Sequence, residues 1–159
     1  MPRKTTKSLI REVAPDSRYN SVAVSKLINR VMLNGHKQIA EHLVYSGMQK
    51  AADKLKVQNP LDVFEQAMKN IRPHLETRSR RVGGANYQIP FEVKGQRQQH
   101  LTTMWFVAMA RARKGISMQD RIAQELVDAY NNQGGAVKKK EDVHKMAEAN
   151  RAFAHFAKY

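Results

Sequence analysis

The side chains best suited to ligate a metal or move a proton near neutral pH are His36, His42, His74, His100, His144 and His155, and their spacing gives them no common site. No two fall in the His-Glu-x-x-His arrangement that puts both rings on one helical face, and the chain has no cysteine to complete a zinc or iron–sulfur centre. They read as polar surface or as contacts to a polyanion. Neither Gly83-Gly84 nor Gly134-Gly135 is followed by Gly-Lys-Ser/Thr, so neither cradles phosphate and both read as turns. Carboxylates are scarce and sit mostly where helix ends or i,i+4 partners want them, as with Glu141 and Asp142 at the expected start of a last helix. No thiolate, cofactor loop or acid/base pair remains. The reading is therefore not an enzyme, with no cofactor and no metal.

What the chain has in abundance is positive charge. Its 28 Lys and Arg oppose 14 Asp and Glu, a formal +14 on 159 residues. Self-repulsion of that size in a small free domain points to a polyanionic partner. The cations are clustered. Arg3, Lys4, Lys7, Arg11 and Arg18 face only Glu12 and Asp16 within residues 1–18, and Arg78, Arg80, Arg81, Lys94 and Arg97 face Glu76 and Glu92 further on. Arg111, Arg113, Lys114 and Arg121 surround Asp120, while Lys138, Lys139, Lys140 and Lys145 outnumber Glu141 and Asp142. Residues 98–110 carry no charged side chain, so the basic surface is patchy, as a docking face is. A membrane-binding helix would need a bulky apolar face or a lipidation signal beside these clusters, and neither is there. The longest apolar stretches, such as Met104 to Ala110, fall far short of the roughly 20 residues of a membrane span, and no apolar run follows the first basic residues. The expectation is a soluble, unexported, cytoplasmic protein with no membrane partner.

The elements that must position these charges are mostly helical, and 42% hydrophobic residues suffice for one packed domain over 1–159. Apolar spacing predicts a first helix from about Ser21 to Leu33 with Val24, Leu27, Ile28, Val31 and Met32 inward, stopped by Asn34-Gly35. A second, from about His36 to Lys54, repeats Ile39, Leu43, Gly47, Ala51 and Leu55, its small residues predicting a close helix contact. The third starts at Asn59-Pro60, buries Leu61, Phe64, Ala67, Met68 and Ile71, and ends before Pro73. A fourth spans about Gln96 to Arg113 with Leu101, Met104, Trp105, Ala108 and Met109 inward. Ser117 caps a fifth carrying Met118, Ile122, Leu126 and Ala129, and after a Gly134-Gly135 break a sixth from about Lys140 buries Val143, Met146, Ala147, Phe153 and Ala154.

Between the third and fourth helices the period changes to alternation, which predicts a β-hairpin arm over 74–93 around Gly83-Gly84. A three-residue loop, Gly83 to Ala85, sets Leu75 opposite Val93 and Thr77 opposite Phe91 and keeps the apolar face continuous. That register is preferred over a two-residue loop, which sets Arg78 and Arg80 opposite Ile89 and Tyr87. Pro90 suits a lone ribbon in which both strands are edges.

The run Arg78-Ser79-Arg80-Arg81-Val82-Gly83-Gly84, followed by Tyr87-Gln88-Ile89-Pro90, resembles the hairpin signature of the seventh small-subunit ribosomal protein of bacteria and organelles. The stretch from Ala136 through Lys138-Lys139-Lys140-Glu141-Asp142 to His155 is similar to that family's C-terminal signature. The resemblance implies a six-helix body with a protruding hairpin. It also implies a primary rRNA binder that docks on the 3′ major domain and nucleates head assembly, beside other small-subunit proteins, with its arm near exit-site tRNA and the mRNA. Carried onto this chain, Arg78, Arg80 and Arg81 match the basic arm, Lys138 to Lys140 a basic loop, and Arg3 and Lys4 a basic tail. Lys7, Arg11, Arg97, Arg111, Arg113, Lys114 and Lys145 join them as expected rRNA contacts. Val82, Gly83, Gly84, Ala85, Asn86 and Tyr87 form the tip, which with His155 is expected on the tRNA and mRNA side. The family often has Arg where this chain has Met104, and more basic residues around Lys94 to Gln99. An architectural DNA binder with a β-ribbon arm is the rival reading, but it wants an apolar wedge where this tip has only Val82 beside glycine.

Overall fold

Asn59 and Ser117 start their helices as their side chains require. The Asn59 carboxamide oxygen accepts the Leu61 N–H at 3.1 Å with Pro60 in the first helical position, and the Ser117 hydroxyl accepts the Asp120 N–H at 3.3 Å. The computed structural model describes residues 12–158. Helices α1 (Val22–Val31), α2 (Lys37–Leu55) and α3 (Pro60–Ile71) precede an antiparallel hairpin of β1 (Leu75–Val82) and β2 (Ala85–Glu92). Helices α4 (Gly95–Ala112), α5 (Met118–Tyr130) and α6 (Gly134–Ala149) follow, then a C-terminal 3-10 segment, Arg151–Lys158. The mainly helical fold with one hairpin between the third and fourth helices is the one expected.

Helix α5 lies at the centre, packed on α2, α3, α4 and α6. The core buries Val24, Leu27 and Ile28 of α1, which packs on α2 and α4, with Val44 and Met48 of α2, Phe64 and Ile71 of α3, and Trp105 and Phe106 of α4. The close contact expected of α2 is made by Gly47, where a Cβ would come within 2.7 Å of Ile122 Cγ2 and 3.1 Å of the Gln119 carbonyl oxygen.

Several faces differ from the sequence expectation. In α2 the buried positions are Ala40, Val44, Gly47, Met48, Ala51 and Ala52, and Ile39 is exposed. A strict i+4 repeat overshoots a turn of about 3.6 residues, so the run from Ile39 to Leu55 spirals off the packed face. Ala108 in α4 is likewise outward, with Thr102, Phe106 and Ala110 inward. The Gly134-Gly135 pair does not break the chain; it begins α6, so Lys138 to Lys140 are helical and Glu141 and Asp142 lie mid-helix. These glycines serve close approach: a Cβ at Gly134, whose φ is +90°, would meet Asp128 Cβ at 2.9 Å, and one at Gly135 would meet Met109 Sδ at 2.9 Å. Ala147 is buried but Met146 and Ala154 are exposed, and Phe153 belongs to the 3-10 segment.

The hairpin register is also corrected. The turn is the two-residue Gly83-Gly84, with Val82 opposite Ala85, Arg80 opposite Tyr87, Arg78 opposite Ile89 and Leu75 opposite Glu92. Both glycines have positive φ, +58° and +91°, the primed-turn geometry whose twist matches that of the strands. Apolar continuity did not decide the matter because Arg78 shares a face with apolar residues at little cost: its guanidinium lies 5.3 Å from the Phe91 ring centre and pairs with Glu76.

The chain enters α1 through a turn tied by Asp16, whose carboxylate accepts the N–H groups of Arg18 (3.2 Å), Tyr19 (2.8 Å) and Ser21 (2.8 Å) and the Tyr45 hydroxyl (3.2 Å). Burial pushes its pKa up, but these hydrogen bonds outweigh burial and hold it below the usual value. The stability it contributes is complete above the unfolded pKa of about 4 and is lost as pH falls through the lower folded value. Asp16→Asn is therefore expected to flatten the stability–pH curve below about pH 4, measured by urea unfolding across that range. Gly47→Ala is expected to cost about 1–3 kcal/mol in the same measurement at neutral pH, because Ile122 and the α5 backbone must give way.

Candidate nucleic-acid interface

The cations separate by what already neutralises them. Arg113 enters from the end of α4 and donates to Glu125 Oε2 through Nε (3.1 Å) and NH2 (2.7 Å), and to Asp128 as well. Glu125 is 1% exposed, and its other oxygen accepts the Ala136 N–H at 3.0 Å. This carboxylate thus does what an N-cap side chain would do for α6, which has none of its own. Burial disfavours the charge on Arg113, but its hydrogen bonds to Glu125 and Asp128 raise its pKa regardless. Arg113, one of the expected rRNA contacts, is committed by these bonds as a strut between α4, α5 and α6.

Other expected contacts are partly committed too. Arg78 and Arg97 both pair with Glu76, whose side chain is nearly buried at the base of the arm, Arg97 at 3.0 Å. Arg111 donates to the Arg30 and Val31 carbonyl oxygens (3.3 and 3.2 Å) at the end of α1. Lys140 donates to the Asn70 carbonyl at 2.6 Å, so the expected basic loop is a helix with one lysine docked inward. Arg80 donates to the Phe156 carbonyl at 3.2 Å.

A third group is free. Arg81 near the arm's tip, Lys114 in the α4–α5 loop, and Lys138, Lys139 and Lys145 on α6 are exposed with no ion-pair partner among the described residues. Helix α6 packs on both strands, so its lysines and the arm belong to one part of the molecule. Gly83, Gly84, Ala85 and Asn86 are exposed at the tip, whereas Tyr87 is half-buried against Phe153 and Phe156. His155 is exposed, its ring 3.9 Å from that of Phe156. The side chain of Val82 is outside those described, and Arg3, Lys4, Lys7 and Arg11 lie outside the described residues.

The arm is held at its base by His144 of α6, whose Nε2 accepts the His74 N–H at 3.1 Å, and by Gln98, which donates to the Pro73 carbonyl at 2.7 Å. Burial and the neighbouring His74 and Lys140 keep the pKa of His144 low, so the ring stays neutral and able to accept.

Sequence reading missed a cleft of about 450 Å³ between α1 and α4, lined by Lys26, Asn29, Arg30, Gln99, His100 and Thr103 among others. Lys26 donates to Gln99 Oε1, and Arg30 NH2 lies 3.0 Å from His100 Nδ1. Burial, Arg30 and Arg97 lower the pKa of His100, leaving a neutral ring opposite Arg30. Among the described residues no carboxylate lines the cleft. Lys26 and Arg30 are single charges one helical turn apart, so a search for clusters passes over them; only their i,i+4 spacing on α1 signals a shared face.

No helix among the described residues is long and apolar enough to cross a membrane. A helical body with cations held by buried carboxylates, free lysines on one outer helix and an arginine-bearing arm defines a structural protein built to dock on a polyanion. The family model described as ribosomal protein S7p/S5e matches residues 2–151. The small ribosomal subunit protein uS7 of Lactococcus lactis subsp. cremoris is 57% identical over 146 residues, covering 92% of this chain and 94% of its own. Those of Thermosipho melanesiensis (56% over 147 residues; 92% and 94%) and Chloroflexus aggregans (53% over 148 residues; 93% and 94%) are similar. The chain belongs to the ribosomal protein S7p/S5e family, in its bacterial type. It is a structural, non-enzymatic constituent of the small ribosomal subunit, in the cytoplasm.

Arg113→Ala leaves Glu125 buried with its charge supported, among the described residues, by one backbone N–H. It is expected to cost about 3–5 kcal/mol in urea unfolding followed by Trp105 fluorescence. RNA affinity of the folded variant at low temperature is expected to stay within about twofold of the parent, since a guanidinium paired inside the protein has no phosphate to lose.

Proposed function

We propose that this chain is a primary rRNA-binding protein that docks on the 3′ major domain of small-subunit rRNA and nucleates assembly of the head, its arm reaching toward exit-site tRNA and mRNA. The observation that carries this reading is the sorting of the cations. Arg113, Arg97 and Arg78 are tied to carboxylates inside the fold, while Arg81, Lys114, Lys138, Lys139 and Lys145 are left exposed and unpaired among the described residues. A protein needing positive charge only for solubility has no reason to separate its cations this way.

The mechanism is electrostatic and geometric. Free Lys and Arg neutralise phosphates where RNA helices crowd together, releasing counterions, while the packed body fixes the distances between those contacts. The basic residues Arg3, Lys4, Lys7 and Arg11 extend the same chemistry, and the α1–α4 cleft adds donors with no competing carboxylate among the described residues. Arginine at the arm holds phosphate bidentately or stacks on an exposed base, which lysine does not reproduce. The arm's tip, Gly83 to Asn86 with Val82 and Tyr87, and His155 face the tRNA and mRNA side, and neighbouring small-subunit proteins complete the surroundings.

The test is binding to a 3′-domain rRNA fragment across a salt series, with equal-length duplex DNA and unrelated RNA as competitors. Saturable binding that resists both competitors and weakens steeply with salt is expected; equal affinity for all three polymers would reduce the protein to a polycation and overturn the reading. Replacing Arg81, Lys138 and Lys139 by Ala together is expected to lower the salt slope by about one per lost phosphate contact without changing thermal stability. Arg80→Ala with Arg81→Ala is expected to lower exit-site tRNA occupancy in assembled subunits, measured by filter binding.

A further inference from the structure

Tyr87 is where the arm meets the C-terminal segment, and three features make that contact replaceable. The ring centres of Phe153 and Phe156 lie 4.9 and 5.8 Å from that of Tyr87, tilted by 50° and 33°. Neither pair reaches the offset-stacked or edge-to-face arrangement that aromatic rings prefer. The segment itself is eight residues of 3-10 helix, Arg151–Lys158, well beyond the three or four residues such poorly aligned hydrogen bonds ordinarily sustain. Its i,i+3 eclipse brings Phe153 and Phe156 together onto Tyr87, leaving Arg151, Ala152, Ala154 and His155 exposed.

The third feature is charge. Residues 151–158 contain Arg151 and Lys158 and no acid, and the arm they cover carries Arg78, Arg80 and Arg81, of which only Arg78 has a carboxylate partner among the described residues. Two like-charged elements are held together by tilted aromatic contacts and by one hydrogen bond, from Arg80 NH1 to the Phe156 carbonyl. A nucleotide's phosphate gains an attraction to the arm that the cationic tail cannot supply, and an aromatic base stacks more fully than either phenyl ring.

We propose that the Tyr87 ring and the Arg80 guanidinium form a stacking site for an unpaired nucleotide of single-stranded RNA, and that Phe156 fills it in the free protein, its ring standing in for the base and its carbonyl for a base oxygen. The site rests on the reading of the arm as nucleic-acid-facing and adds to it a ligand class and an internal competitor. Tyr87 is therefore half-covered until a nucleotide displaces the tail. His155, whose ring lies against that of Phe156 at a 43° tilt, moves with the segment.

The experiment titrates Phe153→Ala/Phe156→Ala with a six-nucleotide single-stranded RNA, read by fluorescence anisotropy. Removing the competitor is expected to raise affinity about five- to tenfold, the lower part of the range that stacking of one base supplies. The gain should vanish when the central nucleotide is abasic, and also when Tyr87→Ala is added. A fall in affinity, or a gain that survives either control, overturns the proposal. Because the double variant can loosen the arm, the wild-type protein is titrated in parallel by NMR. Loss of the Tyr87–Phe156 ring contact at saturation is expected, and its retention overturns the proposal. The 3′-domain rRNA fragment serves as reference: failure to bind it counts against the rRNA-docking reading, whereas normal fragment binding with an unresponsive hexamer counts against the stacking site alone.

Discussion

The buried carboxylate of Glu125 organises more of this protein than any other single group. It takes two hydrogen bonds from Arg113 and one from the first turn of α6, so one side chain on the central helix sets where the chain leaves α4 and where it enters α6. A charge that is 1% exposed is tolerable only when its lone pairs are filled this way, and removing one donor leaves the rest of the desolvation cost standing. The glycines at 134 and 135 belong to the same arrangement. A Cβ at either would collide with Asp128 or Met109, so α6 can approach closely enough to be capped from outside only because it begins without side chains.

Helix α6 is in turn the platform on which the outer parts rest. It carries Lys138, Lys139 and Lys145 into solvent, sends Lys140 back to the end of α3, and packs against both strands of the arm. An isolated two-stranded hairpin is marginal in water, and this one gains its support from α6, from His144 and Gln98 at its base, and from the Glu76 ion pairs with Arg78 and Arg97. Electrostatics are thus used twice: inward-facing pairs locate the elements, and the remaining exposed cations are presented on a frame those pairs have already made rigid.

The helical body was legible in the sequence because its signals are local. Asn59, Pro60 and Ser117 mark helix starts through hydrogen bonds a few residues away, and the apolar stripes of α1, α3 and α5 follow the helical period. The small residue at Gly47 likewise announced a close contact. Patterns that depended on a neighbour's shape read less well. The run beginning at Ile39 looked like a buried stripe until α5 chose the adjacent face, and the hairpin register followed the twist of a primed Gly-Gly turn rather than the continuity of apolar residues. The candidate interface was legible as charge but not as availability: nothing in the local sequence says that Arg113 has Glu125 and Asp128 twelve and fifteen residues away as partners, or that Arg81 has none among the described residues.

By itself, then, the sequence determined that the chain is helical with one basic arm, that it has no thiol chemistry, and that its excess of positive charge calls for a polyanion. Composition and short-range spacing carry that information, since charge is additive and caps and turns act within a few residues. Tertiary structure alone decided which cations are free, where α6 begins, which register the arm adopts, and that Tyr87 is covered by the chain's own C-terminal segment. Each of these turns on a contact between residues distant in the chain, where packing and desolvation select one partner among many that the sequence equally permits.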